Sequence, residues 1–243
     1  MTEPGSERLL PARAPSRVPA SSPLYRAVRS SEFTLRDGSR ALLRPVGPGD
    51  RGLIAEGFER LSPESRYRRF FAPMKSLSGD LLDYLTTIDY VDHFAWGALV
   101  RDGDGGWLGV GVARYVRLTG DPEAAEAAVT VVDDYQGRGL GRILLDALVL
   151  EALANGITRF EGEVLVDNRP MQELLRRTGA RFRPEGDGVL RFSIDLPARD
   201  EALRGSPFDG LLRALARGEA SLYQDEPCPW VSGPGRLSSG LEG

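Results

Sequence analysis

The chain has 243 residues, 41% of them hydrophobic and 27% charged, a balance that fills one sizeable core and excludes a wholly disordered protein. Its longest greasy run, 143–154, is broken by Asp146 and Glu151 and falls short of the roughly 20 apolar residues that span a bilayer, so no membrane segment is expected. With 31 basic against 35 acidic side chains, net −4, no nucleic-acid partner is expected, and one cysteine (Cys228) with one histidine (His93) gives no intrachain disulfide and no zinc set, which points to no metal and to the cytoplasm.

Residues 1–32 read as a disordered N-terminal tail, because the first 31 hold five prolines, six serines and five arginines without hydrophobic periodicity. The spaced prolines also argue against the amphipathic helix of a transit peptide. Residues 33–198 have the pattern of one mixed α/β domain. A strand is expected over 39–46 and a helix over 50–61; Ser62-Pro63-Glu64 is then an N-cap with proline at the first helical position, opening a second helix. Ser78 caps a short helix over 79–87, and 94–101 with 107–116 form a hairpin around the Gly-rich turn 102–106. A strand over 125–132 leads to a nearly all-round apolar helix, 142–154, closed by Asn155-Gly156 and necessarily buried.

The strand 157–166 follows, with Phe160, Gly162, Val164 and Val166 on one face. Asn168-Arg169-Pro170 opens a helix ended by Gly179, and strands over 180–183 and 189–196 close the domain. The extension 199–243 carries an amphipathic helix near 206–217, where Phe208, Leu211, Leu212 and Leu215 share a face. That face is expected either to pack on the domain or to form a homodimer contact.

The chemistry lies in Val129-Thr-Val-Val-Asp-Asp-Tyr-Gln-Gly-Arg-Gly-Leu-Gly141, a strand and a three-glycine turn leading into a buried helix. The first turn of a helix presents unpaired N–H groups and the positive end of its dipole, and glycine lets phosphate oxygens reach the backbone. Arg138 and Arg142 put full charges on the same rim. An ATP-type loop needs Lys and Ser or Thr after its last glycine, where Arg142 and Ile143 stand; a dinucleotide fingerprint needs glycine at 142 or 144, which are Arg and Leu. Both alternatives fail, leaving another phosphate ligand or a purely structural turn.

Gln136-Gly137-Arg138-Gly139-Leu140-Gly141 resembles the acyl-CoA signature of the GNAT N-acetyltransferase superfamily. Leu61 to Pro73 and Ala125 to Gly141 are similar to the catalytic domain of Pat-type protein lysine acetyltransferases, and the likeness covers residues 38–197. It implies a GNAT-like central twisted mixed sheet flanked by helices, with acetyl-CoA as acyl donor between splayed strands. Pantetheine would pair with the backbone of Val129, Thr130 and Val131; Gln136, Gly137, Arg138, Gly139, Leu140, Gly141 and Arg142 would seat the pyrophosphate; Asn168 would contact the pantetheine arm or the adenine side, or simply cap its helix.

Glu126 falls at the catalytic glutamate of the Pat type, amid alanines that would raise its pKa, whereas on its residues alone it reads as a solvent-facing glutamate. The tyrosine with which many members protonate the leaving thiolate is replaced here by Leu175, so the general acid is unassigned. Tyr135 reads as packing, and His93, Asp89 and Asp92 as a loop near the acceptor side. The acceptor implied is a protein lysine, with AMP-forming acyl-CoA synthetases as the substrate class; a small-amine acetyltransferase and a non-catalytic acyl-CoA sensor are the alternatives. The segment before residue 38 is too short for the regulatory nucleotide-binding domain of some Pat-type enzymes, so no cyclic-nucleotide control is expected.

Overall fold

The computed structural model describes residues 31–198. Most of the expected N-terminal tail, Cys228, and the expected helix near 206–217, with the packing or homodimer contact expected of it, lie outside the described residues. In chain order the elements are β1 (Ser31–Thr34), β2 (Arg40–Pro45), α1 (Arg51–Glu59), α2 (Pro63–Phe70), α3 (Gly79–Thr86), β3 (His93–Arg101), β4 (Trp107–Leu118), β5 (Asp121–Val131), α4 (Leu140–Ala154), β6 (Arg159–Leu165), α5 (Arg169–Arg176), β7 (Arg181–Gly186) and β8 (Val189–Asp195). They form one eight-stranded sheet in the order β1-β2-β3-β4-β5-β6-β8-β7. Only the β5–β6 pair is parallel, and α4 makes the crossover between them.

Local sequence explains most boundaries. Ser62 and Ser78 accept hydrogen bonds from the Ser65 and Leu81 N–H groups and so start α2 and α3. Three expectations are corrected. Ser31 and Glu32, placed in the tail, pair with Leu43 and Leu42 in β1. β5 starts at Asp121 rather than 125, because Thr119-Gly120, with Gly120 at φ 89°, is a tight turn that lets Asp121 pair with Leu118. Val166 lies past the end of β6 and is 51% exposed, so it leaves the buried face that Phe160, Gly162 and Val164 share.

The sheet separates two apolar layers. On one face α4, buried from Ile143 to Ala152, packs on Phe94, Trp96, Tyr115 and Phe160, and the Trp96 indole donates to the Ala147 carbonyl at 3.2 Å. Truncating a fully buried leucine such as Leu148 to alanine costs about 2–5 kcal/mol. On the other face Phe58, Leu61, Phe70, Leu81 and Leu85, from α1 to α3, close over Val132. No helix among the described residues is long and apolar enough to cross a membrane.

Candidate acyl-transfer site

Strands β5 and β6 stay in register for three pairs only, Ala124 with Arg159, Ala125 with Phe160 and Glu126 with Glu161, although β5 runs on to Val131 and β6 to Leu165. Beyond Glu126 the strands part, and the β5 backbone has an edge there without a strand partner. Backbone groups alternate between the two edges of a strand. The Val132 N–H bonds the Val110 carbonyl and Val131 stands opposite Gly111, which commits Thr130 to the β4 ladder and turns Val129 and Val131 toward the gap. Val129 and Val131 are therefore placed to pair with a ligand, whereas Thr130, expected with them, offers only its side chain, on the opposite face of the sheet.

The glycine turn closes the wide end of this gap. Gly137 and Gly139 sit at φ 74° and 90°, a left-handed conformation that a Cβ makes costly. Gly139 is the N-cap of α4 and has no side chain to cap it; its carbonyl takes the Arg142 and Ile143 N–H groups, which leaves those of Leu140 and Gly141 for an anion. The helix starts at Leu140, two residues before the expected Arg142, and Leu140 is buried. Gly141 packs on α5, where a Cβ would stand 3.4 Å from Leu174.

The cations on the rim are tethered. Arg138 pairs with Asp37 at 2.5 Å and lies 4.6 Å over the Tyr135 ring, and Arg142 pairs with Asp146 at 2.6 Å. Burial raises the Asp146 pKa, with Arg142 opposing. The Gln136 amide donates to the Val131 carbonyl at 3.1 Å and so holds the end of β5 against the turn.

Arg36, which belongs to no motif in the sequence, joins this rim. Its N–H bonds the Arg138 carbonyl at 3.0 Å, its side chain lies across Gly139 where a Cβ would be, and it makes no ion pair among the described residues. The β1–β2 turn brings it there from a hundred residues away. Asn168 caps α5 through its Oδ1, which accepts from the Met171 N–H at 3.3 Å, at the far end of β6. Leu175 is core, and Tyr135 lies between Arg60 and Arg138 as packing.

Glu126, Ala128 and Thr130 lie on the α1–α3 face, beside Val116, Arg114 and Val112 of β4. Glu126 is exposed, and its charge is felt by Arg69 and Tyr84, so its surroundings are polar rather than the apolar pocket its alanine neighbours suggested. Burial and then the charge of Arg114 hold the His93 pKa down to about 3. His93 is thus a neutral buried residue at the start of β3, 3.0 Å from Arg114 and stacked on Tyr84, not a loop histidine or a pH sensor near neutrality. Asp89 accepts three backbone N–H bonds and Asp92 pairs with Arg117, so neither is free to draw in an acceptor.

Asp133, just past β5, accepts from the Ser62 N–H and from the Ser62 and Ser65 hydroxyls at 2.8–3.0 Å. Burial works to raise its pKa, but these bonds outweigh it and lower the value. The two stretches singled out in the sequence, 61–73 and 125–141, thus meet through this carboxylate.

Comparison with known proteins agrees with this geometry. Residues 64–180 match the acetyltransferase (GNAT) family. The chain is 40% identical over 166 residues to acetyltransferase Pat of Mycolicibacterium smegmatis, a match that takes in 68% of this chain and 49% of that protein, so the chain spans about half of that relative's length. It is 37% identical over 163 residues to acetyltransferase PA5475 of Pseudomonas aeruginosa, covering 63% of this chain and 87% of that protein. Among solved structures the GNAT domain of S. lividans PAT superposes with a TM-score of 0.62 at 32% identity, over 69% of this chain and 97% of that one. A parted β5–β6 pair, a glycine turn capping a buried helix, and these likenesses together place the chain in the GNAT family of acetyltransferases.

Proposed function

We propose that the protein transfers the acetyl group of acetyl-CoA, the donor its family uses, to a lysine side chain of a protein substrate, with Glu126 as general base. The observation that carries this reading is the place of Glu126: it is the last residue of β5 in register with β6, at the point where the gap opens. A lysine ammonium with pKa near 10.4 lies about 3.4 units above neutrality, so presenting it as the free amine costs roughly 4.6 kcal/mol at pH 7. The exposed Glu126 carboxylate takes that proton first, and the freed amine nitrogen then bonds to the acyl carbon. The carbon–sulfur bond breaks, the sulfur leaves with the electron pair, and the nitrogen's second proton passes to that thiolate to give the free thiol. Backbone N–H groups of β5 that face the gap supply hydrogen bonds to the carbonyl oxygen as it gains charge. The first turn of α4, Arg36 and the tethered Arg138 and Arg142 hold the diphosphate. The donor's chemistry is an activated thioester; the protein supplies the seat, the base and the orientation.

The test is Glu126→Gln, assayed for coenzyme A affinity and for acetyl transfer. Affinity within twofold of wild type with transfer down by about 10²–10⁴ is expected of a general base. Unchanged transfer removes Glu126 from the role, and the absence of transfer in wild type favours a sensing module. Incubation with labelled acetyl-CoA and cell lysate separates acceptors: label on protein lysines, with acyl-CoA synthetases among them, supports the proposal, and label on metabolites alone replaces it with a small-amine acetyltransferase.

A further inference from the structure

The sheet face that carries Glu126 also carries positive charge that acyl transfer does not require. Between this face and helices α1 to α3 lies a cavity of about 90 Å³, walled by apolar side chains including Ile54, Phe58, Leu99 and Val132. Three guanidiniums reach it. Arg44 is neutralised by a two-pronged pair with Asp50. Arg69, from the last turn of α2, and Arg114, from β4, line the same space, and neither makes an ion pair among the described residues. Arg114 is 6% exposed; it bonds neutral His93 and the Leu85 carbonyl at 3.0 and 2.9 Å, contacts that fix its direction without cancelling its charge. Burial, then the charge of Arg69, lower the Arg114 pKa to about 9, so Arg114 remains a cation at neutral pH and is repelled by the Arg69 guanidinium. Glu126 acts on Arg69 through space but forms no ion pair with it.

Two unneutralised guanidiniums in an apolar cavity are costly unless an anion completes them. We propose that the cavity is a carboxylate-binding subsite in which Arg69 and Arg114 clamp a small carboxylate beside the transfer centre. The guanidinium fork matches a carboxylate's two oxygens. The volume is below the roughly 150 Å³ that takes a benzene ring, which suits a carboxylate carried on one or two methylenes. That carboxylate comes from one of two sources. It is the far end of a dicarboxylic acyl group on the coenzyme A thioester, or it belongs to the acceptor, next to the amine that is acylated. The bond changes are the same in both cases: nitrogen–carbon forms, carbon–sulfur breaks, the thiolate leaves and Glu126 takes the proton. The proposal rests on the acyltransferase reading for its setting, but its binding arm does not depend on turnover.

The donor arm compares S-(2-carboxyethyl)-CoA with its neutral counterpart S-(2-carbamoylethyl)-CoA by calorimetry. The acceptor arm compares kcat/KM for lysine peptides with Glu or Gln beside the lysine, using acetyl-CoA. A preference for the acid of about tenfold or more in one arm is expected, the size of one charge-assisted hydrogen bond, and the arm that shows it names the source. That preference disappears in Arg114→Met and in Arg69→Met while affinity for plain coenzyme A stays within twofold. Should Arg114→Met fail to fold, Arg69→Met on the half-buried helix position gives the same reading. Equal behaviour of acid and amide in both arms, or a preference that survives Arg69→Met, overturns the subsite. A donor-arm preference in a protein without transfer activity leaves the subsite standing and removes only the acyltransferase reading.

Discussion

At the scale of single residues, the proposed diphosphate seat rests on backbone conformation before it rests on charge. Gly139 holds φ 90° with the Arg36 side chain against the place of its missing Cβ. Gly139→Ala is therefore expected to cost about 1–2 kcal/mol in thermal or denaturant unfolding and to weaken coenzyme A binding further. The spacing of the glycines made this turn legible in the sequence. Arg36 was not legible, because a hydrogen bond to Arg138 across a hundred residues is a property of the β1–β2 turn and its packing, and no local pattern encodes it. Arg36→Gln should weaken coenzyme A binding severalfold at low salt, with the difference from wild type shrinking at high salt, as calorimetry at two ionic strengths would read. An affinity unchanged at both would remove Arg36 from the seat. Thr130 shows the opposite failure: consecutive strand residues look equivalent in sequence, yet alternation gives their backbone groups to different neighbours.

At the scale of elements, the hydrophobic periods located α4 and the hairpin β3–β4, since a buried helix and an alternating strand write their pattern into every turn. The joint between α2 and the end of β5 was hidden, because Ser62 reads only as a cap until Asp133 is found on both its N–H and its hydroxyl. Asp133→Asn keeps the shape and weakens these bonds; a loss of about 1–3 kcal/mol of stability is expected, with acetyl transfer falling as β5, which carries Glu126, loosens. The pH dependence has a definite sign. The folded pKa of Asp133 is lowered, so its contribution is full above the unfolded value of about 3.9 and is lost as pH falls through the folded value. The wild type should therefore lose more stability than Asp133→Asn in this acid range, and parallel curves would deny the carboxylate this role.

At the scale of the whole molecule, the mixed sheet followed from strands before and after a strand-helix-strand unit, whereas the order β6-β8-β7 did not, because β6 takes a partner that is not its neighbour in sequence. The same sheet buries His93 as a neutral ring between Tyr84 and Arg114. Its folded pKa, about 3, lies below the unfolded value near 6.5, so the unfolded chain binds a proton that the native one refuses. Stability from this residue is complete above about pH 6.5 and drains away as pH falls toward 3, at up to about 1.4 kcal/mol per pH unit. His93→Gln, which keeps an acceptor for Arg114, should flatten urea-unfolding stability between about pH 6 and 4.5 by one proton's worth of slope. A slope unchanged from wild type would mean that the ring is protonated in the native state.

In the proposed function the parted β5–β6 pair and the turn ahead of α4 together seat the acyl donor. A crystal structure of the protein with coenzyme A tests it most directly. The diphosphate is expected on the N–H groups at the α4 N-terminus, with Arg36 alongside, and the pantetheine amides paired to Val129 and Val131 in the gap. Coenzyme A bound elsewhere, with the edge of β5 left unpaired, would contradict it.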